Sequence, residues 1–233
     1  MTVARRTALV VAVLFIIATV ASVLSAVLLS PYLEDANYLG ALFANETNVI
    51  LAVFCMFIAS ASIVGIPITL FPLFRRHSEA AALWFFAARL VEAIFFIAGG
   101  VFTLSLLSLA RDYAGSSAPD AAYFLTLGQV INDTAETSFN VGTMLFFSCS
   151  ALILSIVFYQ TNLVPRWLSI WKFIGAILLL VQWALITLGA ATPMLESVLF
   201  LPIAINEMVL AVWLIFKGFD DEAVERLLKA KAA

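Results

Sequence analysis

The chain has 233 residues, 64% of them hydrophobic and 12% charged, with a net charge of −3. Soluble domains use roughly 45–50% apolar and roughly 25% charged residues, so this composition, with a mean hydropathy of +1.10, excludes a soluble globule. The small net charge and the lack of a long basic run exclude the electrostatic footprint of a nucleic-acid binder.

The first predicted span runs from Thr7 to Ser30 behind Arg5 and Arg6, and its apolar core exceeds the roughly 7–15 residues of a signal-peptide core, so an uncleaved first helix is expected. Pro31 is expected to end it. A short acidic loop with Glu34 and Asp35 leads to Glu46, and the second span covers Thr47 to Leu73, with Pro67 and Pro72 kinking or ending its last turns. Arg75, Arg76 and His77 form the next turn, and Ser78 with Glu79 marks the start of a third span from Ala80 to Leu109. The connection over 111–137 contains Gly115, Ser116, Ser117 and Pro119, then a half-apolar stretch from Ala121 to Ile131 that reads as an interfacial helix. The fourth span is expected at 138–159, the fifth at 168–190 and the sixth at 198–216. Residues 220–231 form a short amphipathic tail with Val224, Leu227 and Leu228 on one face. The fold expected is therefore an all-α, six-span membrane bundle filling residues 1–233 as a single domain.

Orientation follows from basic residues. With both termini inside, the inner segments hold Arg5, Arg6, Arg75, Arg76, Arg166, Lys172, Lys217, Arg226, Lys229 and Lys231, while the outer loops hold only Arg111. The positive-inside rule then selects cytoplasmic termini. Trp167 and Trp171, beside Arg166 and Lys172, suit the inner interface, where amphipathic rings settle.

Cys55 and Cys149 fall inside apolar spans and read as buried small hydrophobes. The single histidine, His77, lies in a basic turn, so bis-histidine haem, histidine-rich zinc and Ser-His-Asp chemistry lack their parts. No catalytic constellation, metal site or cofactor is expected. No lysine is placed in the middle of a span, so a retinal Schiff base has no anchor.

The informative residues are ionisable groups inside apolar spans, which are costly at membrane depth and mark functional sites by default. Arg89 and Glu92 lie about 13–18 Å along the third span, and Glu207 lies about 15 Å from the same side along the sixth. Gln182 is expected nearby, and Asn206 adds an amide beside Glu207. The candidate ligand- or proton-binding set is Arg89, Glu92, Gln182, Asn206 and Glu207. One guanidinium facing two carboxylates leaves one negative charge in excess, an arrangement suited to taking up a proton or the amine of a solute. A permanently buried Arg89–Glu207 pair that only fixes helix register accounts for the same residues. Gly99 and Gly100 make the third span the expected moving element.

A second polar set, Glu46 and Asn48 with Asn132, Asp133, Glu136 and Asn140, falls near the outer boundary and reads as solvated helix ends or an outer vestibule. Pro72 precedes Arg89 by seventeen residues and Pro165 precedes Gln182 by seventeen, a faint echo of a duplicated hairpin.

The segments FPLFRRHSEAAALWFFAARLVEA (71–93), NLVPRWLSIWKFIG (162–175) and PIAINEMVLAVWLIFKGF (202–219) resemble a bacterial multi-pass membrane protein family defined as domain of unknown function 4386. The resemblance covers the second to sixth spans and rests on Arg89 with Glu92, on Val164 to Leu168, and on Glu207 with Met208. Lys172 and Asn206 depart from it, standing where a glycine and an apolar residue are expected. The resemblance implies a bacterial inner-membrane location and supplies no substrate. The expected protein is a small transporter or ligand-binding membrane protein, proton-coupled through the Arg-Glu-Glu cluster, or a membrane scaffold in which that cluster is structural. Its expected partners are the lipid bilayer, a small molecule or ion, and a second copy of the chain.

Overall fold

The computed structural model describes residues 2–115 and 121–229, and the described residues contain helices and no strand. The described residues form, in chain order, α1 (Val3–Leu33), α2 (Tyr38–Ala44), α3 (Glu46–His77), α4 (Glu79–Ala114), α5 (Ala121–Ser138), a π-helical segment (Phe139–Met144), α6 (Leu145–Thr161), α7 (Arg166–Thr187), α8 (Pro193–Phe216) and α9 (Asp221–Lys229). Among the described residues six helices are long and apolar enough to cross a membrane, the fourth being the run Ala121–Thr161. The chain is a multi-pass membrane protein.

The spans close into a ring in the order α1, α3, α4, α6, α7, α8 and back to α1. The start of α1 and the helix α9 lie at one end of this ring, here the terminal end. Arg5 donates from Nη1 to the carbonyl of Leu214 at 3.1 Å and from Nη2 to that of Ile215, supplying donors that the last turn of α8 lacks. α9 lies against α3 with Val224 and Leu227 buried. The largest core fills this end, with Phe15, Phe74, Phe85 and Phe158 each at most 1% exposed and Leu163, Leu214 and Phe219 beside them. Phe74 packs on Phe85 at 5.5 Å and edge-on to Phe158 at 5.8 Å, a geometry that the ring quadrupoles favour.

Packing at the opposite, distal end is uneven. On one side Leu29, Leu39, Leu42, Val49 and Leu106 form a second core from α1 to α4. On the other side no residue of α8 before Ile203 is buried, and Leu188 and Met194 at the α7–α8 turn are 78% and 80% exposed.

Several local expectations change. Pro31, Pro67 and Pro72 all lie inside helices. Proline removes one intrahelical bond, and in spanning helices neighbouring helices and hydroxyl side chains compensate for it; Thr69 Oγ1 donates to the carbonyl of Gly65 within this stretch of α3. The acidic loop before Glu46 contains the short helix α2, held by buried Leu39 and Leu42 at three-residue spacing. The half-apolar stretch from Ala121 is not a separate interfacial helix: α5 runs through the π-helical segment into α6. Tyr38 Oη donates to the carbonyl of Leu125, fixing α2 to α5. Burial, helped by the Asp133 carboxylate, raises the Tyr38 hydroxyl pKa and keeps it protonated as a donor. Residues 116–120 of the long connection and 230–231 of the expected tail lie outside the described residues.

The hairpin echo dissolves. Pro72 lies inside α3, whereas Pro165 is the N-cap of α7, so the equal spacings place Arg89 and Gln182 at different depths in their helices. α4 is one uninterrupted helix packed along α3, and a Cβ on Gly100 would come within 3.0 Å of the Phe57 ring. Gly100 therefore serves close packing, and the loosely packed element is the distal half of the α7–α8 hairpin.

Candidate functional site

Helix periodicity brings the charges together. Arg89 and Glu92 are three residues apart and share the inner face of α4, where Phe85, Ala88 and Ala93 are also buried. Arg89 Nη1 donates to both carboxylate oxygens of Glu92, at 3.1 and 3.2 Å. Arg89 Nη2 stands 3.6 Å from Glu207 Oε1, an ion-pair distance too long for a hydrogen bond. Glu207 Oε1 in turn accepts from Lys172 Nζ at 3.1 Å. Glu92, Arg89, Glu207 and Lys172 thus form a chain of alternating sign across α4, α8 and α7. Arg89, Glu92 and Lys172 are at most 3% exposed, and the Glu207 side chain is 12% exposed.

Aromatic faces surround the cations. The guanidinium of Arg89 lies 5.0 Å from the Phe147 ring and 5.9 Å from those of Phe15 and Phe85. Lys172 Nζ lies 5.5 Å from Phe15. Cations over ring faces gain from the quadrupole, more so where water is excluded. α1 and α6 thereby join the site without contributing a charge.

Lys172 corrects two expectations. It is buried inside the bundle and not on an exposed basic turn, and it is a buried lysine within a span, the seventh residue of α7. One residue along a helix turns the side chain by about 100°, so Trp171 stays partly exposed while Lys172 points inward beside the buried Leu168, Gly175, Ala176 and Leu179. With this second cation the cluster has two positive and two negative groups, and the expected excess negative charge is absent. The hydrogen-bonded partner of Arg89 is Glu92, its neighbour on α4, which accepts twice from Nη1, with Glu207 in the looser position.

The remaining candidates separate. Asn206 is fully buried and donates from Nδ2 to the carbonyl of Leu168 at 3.1 Å, tying α8 to α7 one residue from Glu207. Gln182 does not join the ion chain: it lies ten residues beyond Lys172, about 15 Å of helix towards the distal end. Its Oε1 is buried with no hydrogen-bond partner among the described residues, as are Arg89 Nε, Arg89 Nη2, Asn206 Oδ1, Ser169 Oγ, Thr143 Oγ1 and Trp183 Nε1. Thr143 lies in the π-helical segment, whose Gly142 accommodates the Phe95 ring where a Cβ would collide.

The outer polar set also divides. Glu46 pairs with Arg111 at 3.1 Å on the exposed distal surface, and Asn48 Nδ2 donates to Tyr32 Oη at 2.7 Å. Asp133 lines a cavity of about 440 Å³ with Phe95, Thr134, Thr137, Ser138 and Val141, between α4 and the junction of α5 with the π-helical segment. Asn132, Glu136 and Asn140 do not line it. Cys55 and Cys149 are free thiols, each partly buried.

No curated protein and no solved structure matches the chain. A family profile does match, over residues 10–218, which include all four members of the ion chain. With nearly the whole ring of spans inside that match, the protein belongs to the membrane-protein family defined as a domain of unknown function, DUF4386.

Proposed function

We infer that the protein is a transporter or ligand-binding protein that takes a small polar solute or a proton to the Arg89–Glu207 cluster from the distal half of the bundle. The observation that carries this reading is unspent hydrogen-bonding capacity. Arg89 keeps Nε and Nη2 without hydrogen bonds inside the cluster, and Thr143, Gln182 and Trp183 keep polar atoms unpaired on the distal side of it. Buried polar groups are ordinarily paired, because an unpaired one costs about 1–3 kcal/mol. The open cavity at the π-helical segment, with Asp133, Thr134, Thr137 and Ser138 among its lining residues, lies on that same side, and π-helical segments are frequent at functional sites. The aromatic core at the terminal end supports approach from the distal side.

A scaffold reading draws on a specific observation too. The four charges balance and lock three helices together, which a structural ion cluster would do without any ligand. Thr143→Cys and Ser169→Cys, each in a Cys55→Ala, Cys149→Ala background, separate the two readings. A membrane-impermeant thiol reagent is applied to intact and inverted vesicles, with exposed Lys229→Cys reporting the terminal face. For a binding site, Thr143→Cys labels from the face opposite Lys229→Cys and Ser169→Cys from neither. Protection of Thr143→Cys from both faces in folded protein favours the scaffold.

The location proposed is a bacterial inner membrane with the terminal end in the cytoplasm. Arg5, Arg6, Arg75, Arg76, Arg166, Lys217, Arg226 and Lys229 belong to that end, against Arg111 at the distal end. The bias survives the removal of Lys172 from the count.

A further inference from the structure

At the terminal end a cavity of about 280 Å³ opens between the α6–α7 turn (162–165) and the α8–α9 turn (217–220), with Arg166, Trp213, Lys217 and Asp220 on its walls. The two turns are joined by the Asp220 amide donating to the carbonyl of Leu163 at 3.0 Å. Asn162, at φ 56°, and Gly218, at φ 77°, adopt left-handed backbone that lets each helix stop abruptly. Buried Leu163, Val164 and Phe219 make the floor rigid.

The cations in this cavity are available. Arg166 is held by its Nε, which donates to Asn162 Oδ1 at 2.9 Å, and by stacking over Tyr159 at 5.1 Å. Neither Arg166 nor Lys217 forms an ion pair among the described residues. Asp220 is the one carboxylate on the walls, and its Oδ1 accepts from the Ala223 amide to cap α9. The walls therefore carry one net positive charge. Trp167 packs on Trp171 at 6.3 Å and edge-on to Trp213 at 6.4 Å, and such an aromatic group marks the headgroup level of a bilayer. Phe216, the last residue of α8, is 76% exposed and adds apolar surface one residue before Lys217.

We propose that this cavity binds the phosphate headgroup of an anionic membrane phospholipid between Arg166 and Lys217, with its acyl chains lying along Trp213 and Phe216. Basic pockets between spanning helices hold anionic headgroups in this way. An exposed site with one net positive charge holds a free phosphate weakly, whereas acyl chains add burial that inorganic phosphate lacks.

The test uses delipidated full-length protein in detergent, titrated with phosphatidylglycerol or phosphatidylcholine and followed by native mass spectrometry and tryptophan fluorescence. Phosphatidylglycerol should bind more tightly than phosphatidylcholine, and Lys217→Gln and Arg166→Gln should each weaken it about fivefold. Phosphatidylcholine binding and the melting temperature of Lys217→Gln should stay unchanged, and the distant Lys229→Gln should have no effect. If Arg166→Gln fails to fold after losing its bond to Asn162, Lys217→Gln decides alone. Equal binding of the two lipids, or indifference to Lys217→Gln, overturns the proposal. Displacement of phosphatidylglycerol by equimolar inorganic phosphate would also overturn it, by naming a free anion as the ligand.

Discussion

Lys172 Nζ donates to Glu207 Oε1 across 3.1 Å, and one turn further along α7 Gly175 brings the two helix backbones together beside Ile203. The ion pair and the close approach depend on each other, because a side chain at 175 would move α7 away from α8 and stretch the pair. Removing one partner of a buried pair leaves an uncompensated charge, at a cost of about 3–5 kcal/mol. Lys172→Met should therefore lower unfolding stability in detergent by about that amount, and Lys172→Met with Glu207→Gln should lose clearly less than the sum of the two single variants. A coupling below about 0.5 kcal/mol, the limit of additivity for independent sites, would show that the pair contributes no packing energy.

Gly175 itself makes a steric prediction. A Cβ there would lie 3.0 Å from Ile203 Cβ and 3.1 Å from Ile203 Cα, and the second of these belongs to backbone that cannot rotate away. Gly175→Ala should lower the melting temperature, and Gly175→Leu should lower it further. Gly99→Ala is the matched control on α4, since nothing lies within 4 Å of its added Cβ, and it should raise stability by about 0.5–1 kcal/mol through helix propensity alone.

Much of the architecture was legible because hydropathy reports length and depth, and six apolar runs separated by short basic or acidic turns leave few alternatives. Arg89, Glu92 and Glu207 were legible for the same reason: a charge inside an apolar run stands out. Lys172 was hidden by its neighbours. Arg166, Trp167 and Trp171 read as an interface, and only the phase of the helix, with Leu168, Gly175 and Leu179 on the lysine's face, shows that it turns inward. Its departure from the family pattern, shared with Asn206, was a second signal, since both residues tie α7 to α8. Phe15 and Phe147 carry no signal, because twenty phenylalanines are spread through the chain and any of them could face lipid. The π-helical segment depends on Phe95 filling the space over Gly142, a contact between α4 and a distant part of the chain.

That contact predicts compensation. Gly142→Ala places a methyl group where the Phe95 ring lies, so it should destabilise the protein or shift the π-helical segment. Phe95 is only partly buried and lines the cavity beside it, so Phe95→Ala alone should destabilise by less than the about 3–5 kcal/mol of a fully buried phenylalanine. Together, the two substitutions should lose less than their sum, because the new methyl enters space that the ring has left. Denaturant unfolding of the three variants measures this, and strict additivity would mean that the two residues do not meet.

Arg89 supplies the most demanding case, because its shape matters as well as its charge. One guanidinium meets Glu92 through Nη1 and Glu207 through Nη2 while lying over the rings of Phe147, Phe15 and Phe85. A lysine at the same position keeps the charge but concentrates it in a compact, strongly hydrated ammonium without the planar fork. It cannot reach both carboxylates from α4 at these distances, so one would be left buried beside Lys172 alone. Arg89→Lys, which loses the fork and the ring contacts but leaves each carboxylate facing an ammonium, should lower stability by less than Arg89→Gln, which leaves a buried carboxylate uncompensated at about 3–5 kcal/mol. Glu92→Gln added to Arg89→Gln should recover part of that loss, since it removes the charge that Arg89 held by two hydrogen bonds. Thermal unfolding of the three variants in one detergent decides the matter: full stability in Arg89→Lys would mean that Arg89 acts as a point charge and that the fork geometry is incidental.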